Sequence, residues 1–252
     1  MTDELRKATL TTDRSSLEGP LDRAGRSKRD QARNAELLAA ALAMIAGFID
    51  AYGMITYGVF VSFMSGNTTQ TGYQTAERAF GPASLSALAI LMFLVGSFAG
   101  TLLVQAAGRL ARRAVFGVVA AALAEVVGLT HFGFLSVGFG IAIVSVAMGI
   151  MNAALSRVGA QAVSLTFVTG SLSRVGSSLA LALRRAPLPD AQGPWDTHLR
   201  RAMLLARLWV GFLAGAFLSG AVTPRYGALV LSAPALVLVV LAAFDRPEGA
   251  AG

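Results

Sequence analysis

Asp50 is an acid inside an apolar run, LLAAALAMIAGFIDAYGMIT at 37–56. A carboxylate near the centre of a bilayer costs about 2.5–3.5 kcal/mol on insertion scales, so it normally faces a cavity or a partner. Three chemistries fit such a group. It can bind a substrate or ion, carry a proton if poor solvation raises its pKa, or cap a broken helix nearby. By helical spacing Ala43, Gly47 and Met54 share its face, which is small and suited to close packing. Glu125, in AALAEVVG, is the second acid in apolar surroundings and a second candidate for a proton path.

Ten residues beyond Asp50 begins FVSFMSGNTTQTG, 60–72, a polar stretch in an otherwise oily chain. Ser65, Gly66, Asn67 and Thr68 are its candidate substrate- or ion-binding residues. A second stretch, LTFVTGSLSRVG at 165–176, aligns with it without a gap, FMSGNTTQTG over FVTGSLSRVG, and adds Thr169, Gly170, Ser171 and Arg174. Gly66-Asn67 and Gly170-Ser171 are expected to break helices, so that freed N–H and C=O groups become ligands. The N-terminus of a half-helix carries partial positive charge and can hold an anion. The competing reading is a polar helix–helix contact, with hydroxyls bonding across it. Arg157 and Arg174 are candidates to pair with Asp50 or to hold an anionic substrate, and Arg157 could equally snorkel to the surface.

The elements that must position these groups are membrane spans. Of 252 residues, 55% are hydrophobic and 14% charged, and the mean hydropathy is +0.63. Runs at 37–56, 84–105, 136–155 and 226–244 approach the roughly 20 residues that cross a hydrocarbon core of about 30 Å. The fold class is therefore all-α, a polytopic membrane protein. The absence of cysteine removes thiol chemistry, and the two histidines, His131 and His198, are too far apart in sequence for a histidine metal cluster. No metal and no cofactor are implied. The net charge of +7 comes mostly from arginines near span ends, which set topology and imply no nucleic-acid partner. Residues 1–33 are polar, without the apolar core of a signal peptide, and are expected to be a disordered basic cytoplasmic tail.

The alignment extends outward. GFIDA (47–51) matches GIMNA (149–153), which puts Asn152 in the place of Asp50, and GSFAG (96–100) matches GFLAG (211–215). Two membrane repeats follow, 34–130 and 134–246, with a cytoplasmic connector at 184–203 inside the second. If the polar stretches re-enter, the repeats are inverted with 3+3 spans, each with a broken polar helix. If they cross, there are eight spans in a parallel 4+4 arrangement. The first is favoured because it keeps Arg109, Arg112, Arg113, Arg184, Arg185, Arg200 and Arg201 cytoplasmic. Asp190, Asp196 and His198 lie in a Pro-rich loop that offers no rigid geometry for a metal or a hydrolase.

Gly47, Asp50, Ala51, Phe60, Val61, Met64, Gly66 and Asn67 carry a resemblance. The segment is similar to the G-x-x-D-A and F-V-x-x-M-T-G-N elements of the YoaK family of bacterial membrane proteins (domain of unknown function 1275), with Ser65 in place of the threonine. MGIMNA and the TGSLS of the second half resemble that family's M-G-x-x-N-A and T-G-T-L-T elements. The resemblance covers nearly the whole chain after residue 35 and implies about six helices and no established activity.

These readings lead to a transporter or permease for a small polar or anionic solute, proton-coupled through Asp50, in the bacterial inner membrane with both termini cytoplasmic. Its partners would be membrane lipids and a small-molecule or ion substrate. A channel, and a structural or regulatory membrane protein, are the alternatives. Enzymatic activity is not expected, because no Cys nucleophile, His cluster or phosphate-cradling loop is present.

Overall fold

A computed structural model describes the backbone of residues 20–155, 168–191, 193 and 195–245, without the side chains of 20–32, 154–155 and 168. Every regular element among them is helical: α1 (Pro20–Tyr57), α2 (Met64–Ala76), α3 (Phe80–Ala107), α4 (Ala111–His131), α5 (Val137–Leu155), α6 (Val168–Leu183), α7 (His198–Tyr226) and α8 (Ser232–Phe244). Arg33–Tyr57, Phe80–His131 and His198–Phe244 are long and apolar enough to cross a membrane, and Val137–Ala153 is a shorter apolar helix.

The chain divides into Met1–Leu38 and Ala39–Gly252. In the first unit α1 begins at Pro20, inside the tail expected to be disordered. Proline suits the first helical position, and RSKRDQARNAEL is rich in straight-chain helix formers. The polar composition was therefore not evidence against a helix. Residues 1–19 lie outside the described part.

In the second unit glycines set the packing. A Cβ at Gly47 would collide with the carbonyl oxygen of Phe212, and one at Gly215 with that of Met44. A Cβ at Gly96 would collide with the Val146 carbonyl, and one at Gly149 with that of Phe93. So α1 crosses α7, and α3 crosses α5, backbone against backbone. Both crossings are parallel: Gly211 and Gly215 lie beside Ala40 and Met44, while Gly96 and Gly100 lie beside Val146 and Ile150. The Tyr57 ring, at the end of α1, meets Gly140, near the start of α5. Val59, Ala89 and Ile141 form a buried cluster at that level, flanked by Leu85 and Leu88. Hence α3 and α5 start where α1 stops, and both run back the other way.

The longer apolar stretches are folded at glycines. Between α3 and α4, Gly108 has φ 51 and ψ −114. Between α7 and α8, Gly227 has φ 54 and ψ −137. Neither conformation is open to a side chain. A 3₁₀ turn follows each glycine, at Gly108–Leu110 and Gly227–Leu231. The ends of α2 and α6 also match. Arg78 N–H bonds Thr75 O and Ala79 N–H bonds Gln74 O; Arg185 N–H bonds Ala182 O and Ala186 N–H bonds Leu181 O. Each is a Schellman closure, with Arg78 at φ 62 and Arg185 at φ 50 where glycine is usual.

The crossings predict a sharp contrast. Gly96→Val or Gly215→Val should overpack a backbone contact and cost about 1–3 kcal/mol or more. Gly117→Ala, with nothing within 4 Å, should be neutral or stabilising by up to about 1 kcal/mol. Thermal unfolding of detergent-purified variants measures both.

Candidate functional site

Asp50 sits in α1, is 3% exposed, and spends one oxygen on backbone. Its Oδ1 accepts hydrogen bonds from the N–H groups of Val61 at 2.9 Å, Ser62 at 2.7 Å and Phe63 at 3.3 Å. These three N–H groups lead into α2, whose N-cap is Phe63. They include donors that a helix start leaves without intrahelical partners. A carboxylate also complements the positive end of the α2 dipole. Asp50 is thus a helix cap supplied from a different helix. Among the described residues backbone amides, and not arginines, hold this carboxylate. Arg174 is exposed on α6, and Arg157 lies outside the described residues.

Asn67 holds the same loop at Phe60. It is fully buried. Its Oδ1 accepts from Phe60 N–H at 3.0 Å, and its Nδ2 donates to Phe60 O at 2.6 Å. A side-chain amide that pairs with both groups of one residue satisfies backbone that no strand or helix would. Gly66 makes room for the pair of rings above it. A Cβ there would lie 2.5 Å from the Phe63 ring and 3.0 Å from that of Phe60, and these rings meet edge to face at 5.3 Å. Val61 in turn fills the space over Gly53 of α1, where a Cβ would lie 2.6 Å from its methyl.

The break therefore falls at Gly58–Phe63, not at Gly66-Asn67. Gly58, at φ 73, starts it, whereas Gly66 and Asn67 lie in the first turn of α2. The physical reason is that Asn67 stabilises irregular backbone at a distance in sequence, so it marks the partner of the break. Gly170 and Ser171 likewise lie inside α6, and the preceding residues 156–167 are outside the described part. The sequence pointed to Asp50 and Asn67. It did not reveal Phe60–Phe63 as what they hold; Gly58 was the available signal.

The loop also fixes depth. Asp50 lies seven residues before the end of α1, about 10 Å back along the helix. After Tyr57 the chain returns to that level before α2 begins. Gln70 then meets Ser86 of α3 at 3.2 Å. Ser65, Thr68, Thr69, Gly72 and Thr75 are exposed on α2, at helical spacing along one side. Thr68 Oγ1 donates to Met64 O at 2.8 Å and Thr69 Oγ1 to Ser65 O at 3.1 Å, so the outward lone pairs of these hydroxyls remain acceptors. On α6, Thr169, Ser173 and Gly176 are exposed, at the positions aligned with Ser65, Thr69 and Gly72. Asn152 is half-buried on α5. Glu125 is exposed on α4 rather than buried, so it does not join Asp50.

The connector has more order than its prolines implied. Arg201 forks onto Asp196, with Nε–Oδ1 3.0 Å and Nη2–Oδ2 2.8 Å, and reaches Asp190 Oδ2 at 2.9 Å. Arg200 lies over the Trp195 ring, 4.3 Å from its centroid. The two acids are occupied by Arg201 and are not arranged around a metal. No group of three or more His, Cys, Asp or Glu able to hold a metal occurs among the described residues.

Two predictions follow from this geometry. Asp50→Ala leaves buried N–H groups unpaired, at about 1–3 kcal/mol for such a loss. Asp50→Asn keeps an acceptor oxygen and should recover part of it; Asn67→Ala should open the same loop. Thermal unfolding and protease nicking near residue 60 would report this. In the connector, hydrogen bonding to Arg201 holds the Asp190 carboxyl below the usual carboxylate range. A lowered value contributes stability above the unfolded pKa of about 3.9 and loses it as pH falls through the folded value. In a Trp209→Phe background, Trp195 fluorescence should hold steady down to about pH 4 and change only below it. Arg201→Gln should move that change upward.

Residues 38–244 match the family described as "Protein of unknown function (DUF1275)". A UPF0700 transmembrane protein of Rhizobium meliloti is 31% identical over 217 residues, covering 84% of this chain and 87% of the relative. No solved structure matches. The motif built around Asp50 and Asn67 lies within the matched region, and the chain belongs to the DUF1275 family of transmembrane proteins.

Proposed function

We propose that the protein is a membrane transport protein for a small polar or anionic solute, with a route lined by the re-entrant helices α2 and α6. The observation that carries this reading is the hydroxyl side of α2, exposed at the depth of Asp50. Polar, irregular structure at membrane depth is tolerated where it lines a water-filled cavity or is covered by protein. The aligned stripe on α6 supports a route with two related walls. They differ in charge, since Arg174 of α6 aligns with Gln70 of α2. Asp50 already occupies the positive end of α2, so an anion would meet α6 and Arg174 instead. In this reading Asp50 fastens the re-entrant loop and is not the coupling group.

The proposed frame is two inverted copies, each with three spans and one re-entrant helix. Four features support it. The first is the opposed direction of α1 and α5, whose motifs align. The second is the pair of glycine crossings, in which each copy's first span meets the other copy's second. The third is the matched pair Gly108 and Gly227. The fourth is the matched closures at Arg78 and Arg185. A length of 13 residues, about 20 Å, also leaves α2 short of a full crossing. The arginines of the α3–α4 turn and of the connector then share one end, which we assign to the cytoplasm of a bacterial inner membrane.

The natural absence of cysteine makes the test direct. Ser65→Cys and Thr169→Cys should react in membranes with a small water-borne thiol reagent, while Val239→Cys, on the apolar exposed side of α8, should not. Unreactive cysteines at both 65 and 169 would remove the route and leave a structural membrane protein.

A further inference from the structure

We infer that Gly72 and Gly176 set the size of the polar solute that passes. Each is a turn without a side chain in the wall of the route, Gly72 towards the outer mouth and Gly176 towards the cytoplasmic mouth. The inference rests on the transport reading and deepens it by naming the residues that select for size.

Glycine inside a helix needs a cause, because after proline it is the poorest helix former. The usual structural causes are a left-handed dihedral, a close backbone approach, or a neighbouring side chain in the space of the Cβ. Other glycines here show them. Gly58 and Gly227 have positive φ. Gly47 and Gly96 meet carbonyl groups of crossing helices, and Gly66 yields to the rings of Phe63 and Phe60. Gly72 and Gly176 show none of these causes. They lie inside α2 and α6, and neither is among the positive-φ residues. Among the described residues no atom comes within 4 Å of a Cβ built on either.

Gly81, Gly117, Gly128 and Gly220 are open in the same way. What separates Gly72 and Gly176 from them is place. They align with each other, as the last residues of FMSGNTTQTG and FVTGSLSRVG. Both are exposed, on the side of the helix that carries exposed hydroxyls: Ser65, Thr69 and Thr75 on α2, Thr169 and Ser173 on α6. The same polar line thus loses its side chain at the same point in both copies. In the wall of a route this has a physical use. It removes the group that would stand out into the passage. It also bares helix carbonyls, whose second lone pair can accept a hydrogen bond from a polar solute.

The two glycines serve opposite mouths. Gly72 lies seven residues beyond Ser65, and Gly176 seven beyond Thr169, about 10 Å along each helix. Helix α2 runs from the start held by Asp50 to its closure at Arg78, just before α3. Helix α6 runs to its closure at Arg185, just before the connector. In the inverted frame these two ends lie on opposite faces of the membrane. Gly72 then stands between the outer solution and Ser65, and Gly176 between the cytoplasm and Thr169.

Labelling rates in oriented membrane vesicles test this. Gly72→Leu should slow the reaction of Ser65→Cys with a bulky water-borne maleimide several-fold in right-side-out vesicles. Gly176→Leu should do the same for Thr169→Cys in inverted vesicles, and alanine at either glycine should slow the reaction less than leucine. In the crossed pairs, Gly72→Leu with Thr169→Cys and Gly176→Leu with Ser65→Cys, the rates should stay as they were. Thermal unfolding of both leucine variants should stay level or rise, since a side chain there displaces nothing. Rates that ignore the leucines, or that fall equally in the crossed pairs, overturn the inference. So does a lowered unfolding temperature, which would make these glycines packing residues. Failure of the transport reading looks different: Ser65→Cys and Thr169→Cys then do not react even with both glycines in place.

Discussion

Three backbone N–H groups at the start of α2 need an acceptor where water is scarce, and the carboxylate of Asp50 supplies it. Much of the structure around it depends on that contact. It sets the depth at which the chain turns after α1. It gives the irregular residues Phe60–Phe63 a partner, without which buried amides would each cost free energy. It also explains why an acid stands inside an apolar helix. The charge is placed on donors and on a helix end, so its insertion cost is offset by hydrogen bonds that nothing else in the loop can make.

The family motif reads as one mechanical device around that contact. Asn67 pairs with the backbone of Phe60, and Asp50 with the N–H groups of Val61, Ser62 and Phe63. Gly53 admits Val61, and Gly66 admits the paired rings of Phe60 and Phe63. Each residue type has a cause: a carboxylate to take several N–H groups, an amide to donate and accept at once, and two glycines for close approach. The device is structural in its immediate effect. Its use, in the proposed account, is to hold a polar helix part-way into the membrane.

Helical class, the apolar stretches and the residues of the motif were legible in the sequence, because hydropathy and residue type act locally. The glycine pairs at 96 and 100 and at 211 and 215 were legible as close contacts, though their partners were not. The position of the break was misplaced onto Gly66-Asn67. Glycine and asparagine are ambiguous signals: here one makes room for rings and the other binds backbone seven residues earlier. Asp50 was open between binding, proton transfer and capping, because no sequence pattern states which amides will face a carboxylate. Glu125 was a second, lesser candidate because of its apolar neighbours, yet it lies on the exposed side of α4. The order of the connector came from Arg201, whose fork onto Asp196 requires a fold that brings the loop back to the start of α7.

The central claim is that α2 re-enters and does not cross, so that the end of α1 and the start of α3 emerge on one side. Single cysteines at Thr56 and Gly81, both exposed, test this with a membrane-impermeant thiol reagent applied to intact cells and again after permeabilisation. Ala111→Cys, in the turn at the far end of α3, serves as the opposite-side marker. The account predicts that positions 56 and 81 react from the same side, before permeabilisation, and that position 111 reacts only after it. Reaction of 56 and 81 from opposite sides would contradict it, making α2 a full crossing and the two copies parallel.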